Sequence, residues 1–210
     1  MKTVVVDYGI GNLLSVCRAF ASQGADVQLT DDHSAILAAD RVVLPGVGAF
    51  GKCVAEVRAR GLDDVVRRRV MQEQPLLGIC VGMQMLFEVG EEFGAHQGLG
   101  LLPGRVAAIP SETERGPRRK IPHIGWNALQ PALQPWTGTL LATTEPDACV
   151  YFVHSFSARP TDPNDTLATV NYMDFDVVAA VQRGPLMGTQ FHPEKSGQTG
   201  LKIVRQFLTS

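Results

Sequence analysis

Closely spaced cysteines are missing from this chain. Its four, Cys17, Cys53, Cys80 and Cys149, form no C-x-x-C pair. That argues against a zinc site and against a disulfide framework, so no metal is expected and a reducing cytosol is the natural compartment. Long apolar runs are missing too, and nothing approaches the ~20 residues that cross a bilayer. Val4–Val6 is too short to be the apolar region of a secretion signal. Charge of one sign is also scarce. Lys and Arg number 19 against 21 Asp and Glu, for a net charge of −2, so neither nucleic acid nor an anionic membrane is expected as the main partner. Of the two basic runs, 67–69 reads as a solvated helix face and 118–120 as a loop. Repeats and low-complexity linkers are absent. With 210 residues, 45% of them hydrophobic, one domain over 1–210 with a substantial core is the expectation.

What is present is an alternation of elements. Val4–Val6 reads as a buried strand, followed by a turn and a helix that Asn12 would cap and Gly24 would stop. Val27–Leu29 and Val42–Leu44 are further strands, with a short helix between them that Asp31 or Asp32 would cap. Helical patterns run near Phe50–Arg60 and Leu62–Gln74. This half predicts an α/β fold with an open, mostly parallel sheet and helices on both faces. After Gly98 the texture changes. Short β-like runs at 105–109, 150–153, 167–170, 177–181 and 187–191 imply additional antiparallel strands, and Gly197–Leu208 reads as a closing helix.

The chain is organised around Pro75–Glu88. An apolar run meets Gly78-Ile79-Cys80-Val81-Gly82, and a helical-looking series Met83–Phe87 follows. G-x-C-x-G at a strand-to-helix turn is the cysteine form of the nucleophile elbow. The turn strains the nucleophile's backbone, and flanking glycines let strand and helix approach without Cβ clashes. A sulfur at a helix N-terminus would also be favoured as thiolate.

A thiolate nucleophile needs a base, and the base needs an orienting group. Of five histidines, His33, His96 and His123 have no adjacent orienting acid, and His154 lies in a hydrophobic run. His192 is different, because Phe191-His192-Pro193-Glu194 follows a predicted strand. Proline favours extended geometry in the residue before it. In an extended chain residues two apart point the same way, so His192 and Glu194 would lie side by side. The end of a strand is also where open α/β sheets hold their ligands.

Oxyanion donors are expected at the Val81 amide, just after the nucleophile, and at the loop Gly46-Val47-Gly48, whose glycines let a peptide turn its N–H toward the site. This loop also invites two rival readings. Gly46-x-Gly48-x-x-Gly51 matches a dinucleotide fingerprint, but Pro45 interrupts strand and turn and no acidic residue ends a strand about 20 positions on. Gly46-x-x-x-x-Gly51-Lys52-Cys53 puts a soft thiol where a phosphate-binding loop needs a hydroxyl for Mg²⁺.

Gly78–Gln84 and Gly188–Glu194, in this order and with the glycine loop, resemble the class I, triad-type glutamine amidotransferases. Asp7–Leu13, Leu44–Phe50, Pro122–Asn127 and Tyr151–Ser155 narrow the likeness to the glutaminase subunits of imidazole glycerol phosphate synthase, over nearly the whole chain. Val81 and Ile124 depart from that pattern, where Leu and Met are more usual. The resemblance implies a flavodoxin-like fold and glutamine hydrolysis by Cys80, His192 and Glu194 through a thioester. Gln84 and Glu92, with the backbone at Ser155 and Phe156, would contact the glutamine. No cofactor is implied. The implied partner is a (β/α)₈-barrel cyclase subunit that consumes the ammonia, faced by His123, Trp126, Asn127 and Lys195. Two other readings stay open: a glutaminase serving another synthase, and a cysteine hydrolase of unrelated substrates.

Overall fold

The computed structural model describes residues 1–113 and 116–210. The first half is the expected alternation. β1 (Lys2–Val6), α1 (Leu13–Ser22), β2 (Asp26–Thr30), α2 (His33–Ala38) and β3 (Arg41–Leu44) follow one another. Then come α3 (Phe50–Ala59), α4 (Leu62–Met71), β4 (Leu76–Ile79) and α5 (Val81–Gln84). Val4, Val5 and Val6 are fully buried, as a branched run covered on both faces should be. Asp32 caps α2, its carboxylate accepting from the Ala35 amide at 2.7 Å. Asn12 occupies the cap position of α1, but its side chain makes no capping bond.

The second half adds β5 (Phe87–Gly90), β6 (His96–Gln97), β7 (Leu102–Ala108), β8 (His123–Ala128) and β9 (Gln130–Pro131). After these run β10 (Cys149–His154), β11 (Phe156–Pro160), β12 (Thr166–Tyr172), β13 (Phe175–Arg183), β14 (Leu186–Thr189) and α6 (Gly197–Thr209). The main sheet has the order β2-β1-β3-β4-β14-β13-β12-β9. Its first five strands are parallel, and β13, β12 and β9 continue antiparallel. That parallel order is the flavodoxin-like one. α1 packs on α6, with Phe20 edge-on to Phe207, while α4 packs against α2 and α3. Right-handed crossovers put these two groups on opposite faces. A four-stranded sheet, β11-β7-β5-β6, and a two-stranded one, β10-β8, stand beside the main sheet.

Two expectations need correction. The helix after Cys80 is one turn, not a run to Phe87. The carbonyls of Met85, Leu86 and Phe87 are taken by the amides of Leu99, Leu101 and Leu102, and Gly100. Gly98 makes this possible, since a Cβ there would lie 2.1 Å from the Phe87 oxygen. The basic run at 67–69 is not wholly a solvated face either. Arg69 is fully buried and donates to the carbonyls of Ile36, Ala39 and Pro75. In the second run Arg119 is buried, tying the loop after β7 to the β12–β13 turn through Pro110, Tyr172 and Met173.

Candidate active site

Cys80 closes β4 with φ 54° and ψ −113°, a conformation that costs of order 1–3 kcal/mol in a non-glycine residue. The surroundings hold it there. Its amide donates to the Thr189 carbonyl at 2.7 Å, and its own carbonyl accepts from Gln84. A Cβ on Gly82 would lie 1.9 Å from the Leu44 oxygen, and one on Gly78 2.7 Å from the Met83 backbone. Only glycine fits on either side of the elbow.

β14, next to β4 in the sheet, leads directly to His192. The imidazole is buried, shares the cavity wall with the Cys80 sulfur, and is hydrogen-bonded to Glu194. Its Nδ1 lies 2.8 Å from Glu194 Oε1, which leaves Nε2 for the sulfur. Burial pulls its pKa down, but hydrogen bonds to Cys80 and Glu194 and the charges on both outweigh this and carry it up to about 10. The backbone reason differs from expectation. His192 is extended, but 193–195 is a turn of 3₁₀ helix, and this turn brings Glu194 back toward the ring.

Cys80 and His192 lie in the wall of a cavity of about 430 Å³. Val47, Gly48, Val81, Gln84, Glu92, Ser155 and Phe156 share that wall. Gly46 does not. It lies against the elbow, where a Cβ would come within 2.6 Å of the Gly82 nitrogen. The carbonyls flanking Gly46 are held: Tyr8 Oη donates to Pro45 O at 2.7 Å, and Cys53 Sγ to Val47 O at 3.3 Å. Burial pushes the Cys53 thiol up to about 11 and raises the Tyr8 phenol further, so both remain protonated donors. Gly51, the last glycine of the dinucleotide pattern, lies inside α3 against the ring of His96. Gln84 donates to Phe156 O at 3.1 Å and to Gln190 Oε1 at 2.9 Å. Glu92 accepts from the Phe50 amide at 2.7 Å, at the start of α3.

Sequence reasoning missed two residues here. Gln190 donates to the Cys80 sulfur at 3.6 Å. Its position two residues before His192 at the end of a strand was the available signal. His154 also lines the cavity, and nothing in its hydrophobic run pointed there. Of the expected partner-facing residues, Trp126 is 54% exposed and Lys195 is exposed. Asn127 is half-buried. His123 must be withdrawn from that surface. It is 1% exposed, stacked between Phe152 and Tyr172, because its strand position faces the interior. Among the described residues no group of His, Cys, Asp or Glu could hold a metal, and no helix is long and apolar enough to cross a membrane.

A strained cysteine on a strand-to-helix elbow, an imidazole and a buried carboxylate in line define a cysteine-triad hydrolase site on a flavodoxin-like sheet. The chain belongs to the class-I glutamine amidotransferase family, whose pattern it matches over residues 4–210. It is 44% identical over 206 residues to imidazole glycerol phosphate synthase subunit HisH 1 of Legionella pneumophila (strain Lens), covering 97% of each chain. It is 46% identical over 208 residues to the subunit HisH of Salinibacter ruber, covering 98% of this chain and 93% of that one. The fold is shared with PurLQS from Thermotoga maritima, at TM-score 0.73 and 18% identity, over 99% of this chain and 97% of that one.

Proposed function

We propose that this chain is the glutaminase subunit of an imidazole glycerol phosphate synthase, working in the cytosol as one amidotransferase domain. Cys80 Sγ attacks the side-chain amide carbon of L-glutamine. The developing oxyanion is met by the Val81 amide and by an amide of the Gly46–Gly48 loop. His192 passes its proton to the departing nitrogen, ammonia leaves, and a γ-glutamyl thioester remains. Water, deprotonated by His192, then attacks the thioester and releases glutamate and the thiol. Glu194 orients the ring throughout. Gln84, Glu92, Ser155 and Phe156 form the glutamine pocket. The ammonia passes to a (β/α)₈-barrel cyclase subunit docked over Trp126 and Lys195, while half-buried Asn127 turns its amide inward to His123. There it reacts with a phosphorylated ribulosyl substrate to give imidazole glycerol phosphate and an aminoimidazole carboxamide ribotide, a step of histidine biosynthesis. A ligand on the barrel favours the productive orientation of the Gly46–Gly48 loop, which requires that it bind the two states differently.

The observation that carries this reading is the meeting of Cys80 and His192 in the wall of one cavity, with Glu194 hydrogen-bonded to the far side of the ring, in a chain 44% identical to a HisH subunit along its length. The test is ammonia release from glutamine, measured with and without the barrel subunit and its ribulosyl substrate. Release that rises in the loaded complex supports the reading. No release under any condition overturns the glutaminase, and equal rates for the lone chain and the loaded complex overturn the coupling.

A further inference from the structure

A row of hydrogen bonds runs from the β8 side of the β10–β8 pair to the cavity. Asn127 Nδ2 lies 2.6 Å from His123 Nε2, and His123 Nδ1 lies 2.9 Å from His154 Nε2. His154 Nδ1 lies 2.7 Å from the carbonyl oxygen of Phe156. Each direction can be worked out from the inner end. A carbonyl only accepts, so His154 carries its proton on Nδ1. Burial keeps that ring neutral, with its pKa pulled down to about 3, so its Nε2 is a bare acceptor and His123 must donate from Nδ1. Burial holds His123 neutral as well, down to about 4, which leaves its Nε2 to accept from the Asn127 amide. The row therefore has one polarity, and both tautomers are fixed by it.

The inner end does not stop at Phe156. Gln84 Nε2 donates to the same carbonyl at 3.1 Å and to Gln190 Oε1 at 2.9 Å, and Gln190 donates to Cys80 Sγ at 3.6 Å. The chemistry proposed above uses neither histidine of the row. Neutrality suits them, since a charged His154 would oppose a protonated His192 close by. The outer end is also placed to matter. Alternation along β8 puts His123 and Asn127 on one face and the exposed Ile124 and Trp126 on the other.

We propose that Asn127, His123 and His154 are positioning residues whose one-way row of hydrogen bonds sets the Phe156 carbonyl and, through Gln84 and Gln190, the amide facing the Cys80 sulfur. The shape of the glutamine pocket then depends on side chains of the strand that also carries Trp126. This rests on the reading of Cys80 as a glutaminase nucleophile, but it is tested independently of turnover.

Two-bond ¹H–¹⁵N correlation spectra of the labelled full chain at neutral pH are expected to show His123 and His154 both neutral and protonated on Nδ1. An Nε2–H form or an imidazolium at either ring overturns the row, whether or not the protein consumes glutamine. The Cys80→Ala variant separately decides the glutaminase reading. In the complex with the barrel subunit, His123→Leu is expected to raise KM for glutamine about tenfold with kcat changed less than about threefold, the scale of one lost buried hydrogen bond. His123→Gln, whose amide both donates and accepts, should restore KM to within about threefold of the parent. An unchanged KM in His123→Leu, or equal loss in both variants, overturns the proposal. If His123→Leu fails to fold, the parent's spectrum still decides.

Discussion

His192 and Glu194 face each other across Pro193, with Nδ1 2.8 Å from Oε1 of a carboxylate whose side chain is 1% exposed. Glu194→Gln keeps the shape and removes the charge. General acid–base catalysis by the ring should then fall by about 10²–10⁴ in kcat. Glu194 is among the groups that raise the His192 pKa toward about 10, so its removal moves that pKa down. The pH at which the protonated ring is lost in a pH–rate profile should move down with it. An unmoved profile with unchanged kcat would remove Glu194 from the triad.

The same raised pKa has a consequence for stability. The unfolded ring titrates near 6.5 and the folded one near 10. The stabilisation this gives is fully present below about pH 6.5 and is lost as pH rises through about 10. Urea unfolding across that window should show the parent losing this contribution on the alkaline side. Cys80→Ala, which lacks one of the groups raising the pKa, should lose less. Parallel curves for the two proteins would mean that sulfur and ring are not coupled.

A glutamine-like electrophile should mark Cys80 and leave Cys17, Cys53 and Cys149 unmodified, read by peptide mass spectrometry. Only Cys80 combines a strained elbow, a ring partner and a cavity wall. Cys80→Ala should lose glutaminase activity by at least about 10³-fold. Labelling at another cysteine, or full activity without Cys80, would discard the mechanism.

Gly82 packs under the loop, where a Cβ would meet the Leu44 carbonyl at 1.9 Å. Backbone cannot yield as a side chain can. Gly82→Ala is expected to cost at least about 1–3 kcal/mol in chemical denaturation and to displace the elbow enough to abolish turnover. A stable, active Gly82→Ala protein would show that the elbow tolerates expansion.

These glycines explain why so much was legible in the sequence. At an elbow the backbone itself is the constraint, so Gly78, Cys80 and Gly82 carry the geometry in their identities. The buried runs of β1, β3 and β4 were equally readable, because a strand covered on both faces must be apolar throughout. Long-range relations were not readable. The truncation of α5 depends on Gly98 and the segment after it reaching back to 85–87. The burial of His123 depends on which face of β8 turns inward, and Arg69 looked like its exposed neighbours. Such polar residues are buried only because distant carbonyls or rings receive them, and local pattern carries no record of those partners.

Arg69 itself gives a prediction away from the site. Its guanidinium meets Ile36 O at 3.0 Å, Ala39 O at 2.8 Å and Pro75 O at 3.2 Å. Arg69→Met fills similar volume but leaves these carbonyls without their donor, at about 1–3 kcal/mol for each buried group left unpaired. Urea unfolding should show a loss of roughly 3 kcal/mol or more. KM for glutamine should stay within about twofold, because Arg69 holds the edge of the sheet where β4 begins and the cavity lies at the other. A loss under about 0.5 kcal/mol would mean that water replaces the guanidinium.

The last prediction concerns the proposed partner surface. Trp126 is 54% exposed and Ile124 57% exposed, two apolar side chains on one face of β8, with the Trp126 ring edge-on to Tyr151 at 6.0 Å. The edge-on contact with Tyr151 restrains one side of the ring before any partner arrives, which lessens the side-chain freedom lost on docking. Trp126→Ala should weaken binding of the barrel subunit by about 2 kcal/mol or more, roughly 30-fold in Kd by titration calorimetry. Its urea midpoint should barely move, since half the ring is already in water. The stimulation of glutaminase by the loaded barrel should then require correspondingly more barrel subunit but reach the same plateau. An unchanged Kd would move the docking surface off β8. A lowered plateau at saturating partner would mean that Trp126 also transmits the partner's effect to the cavity, beyond anchoring it.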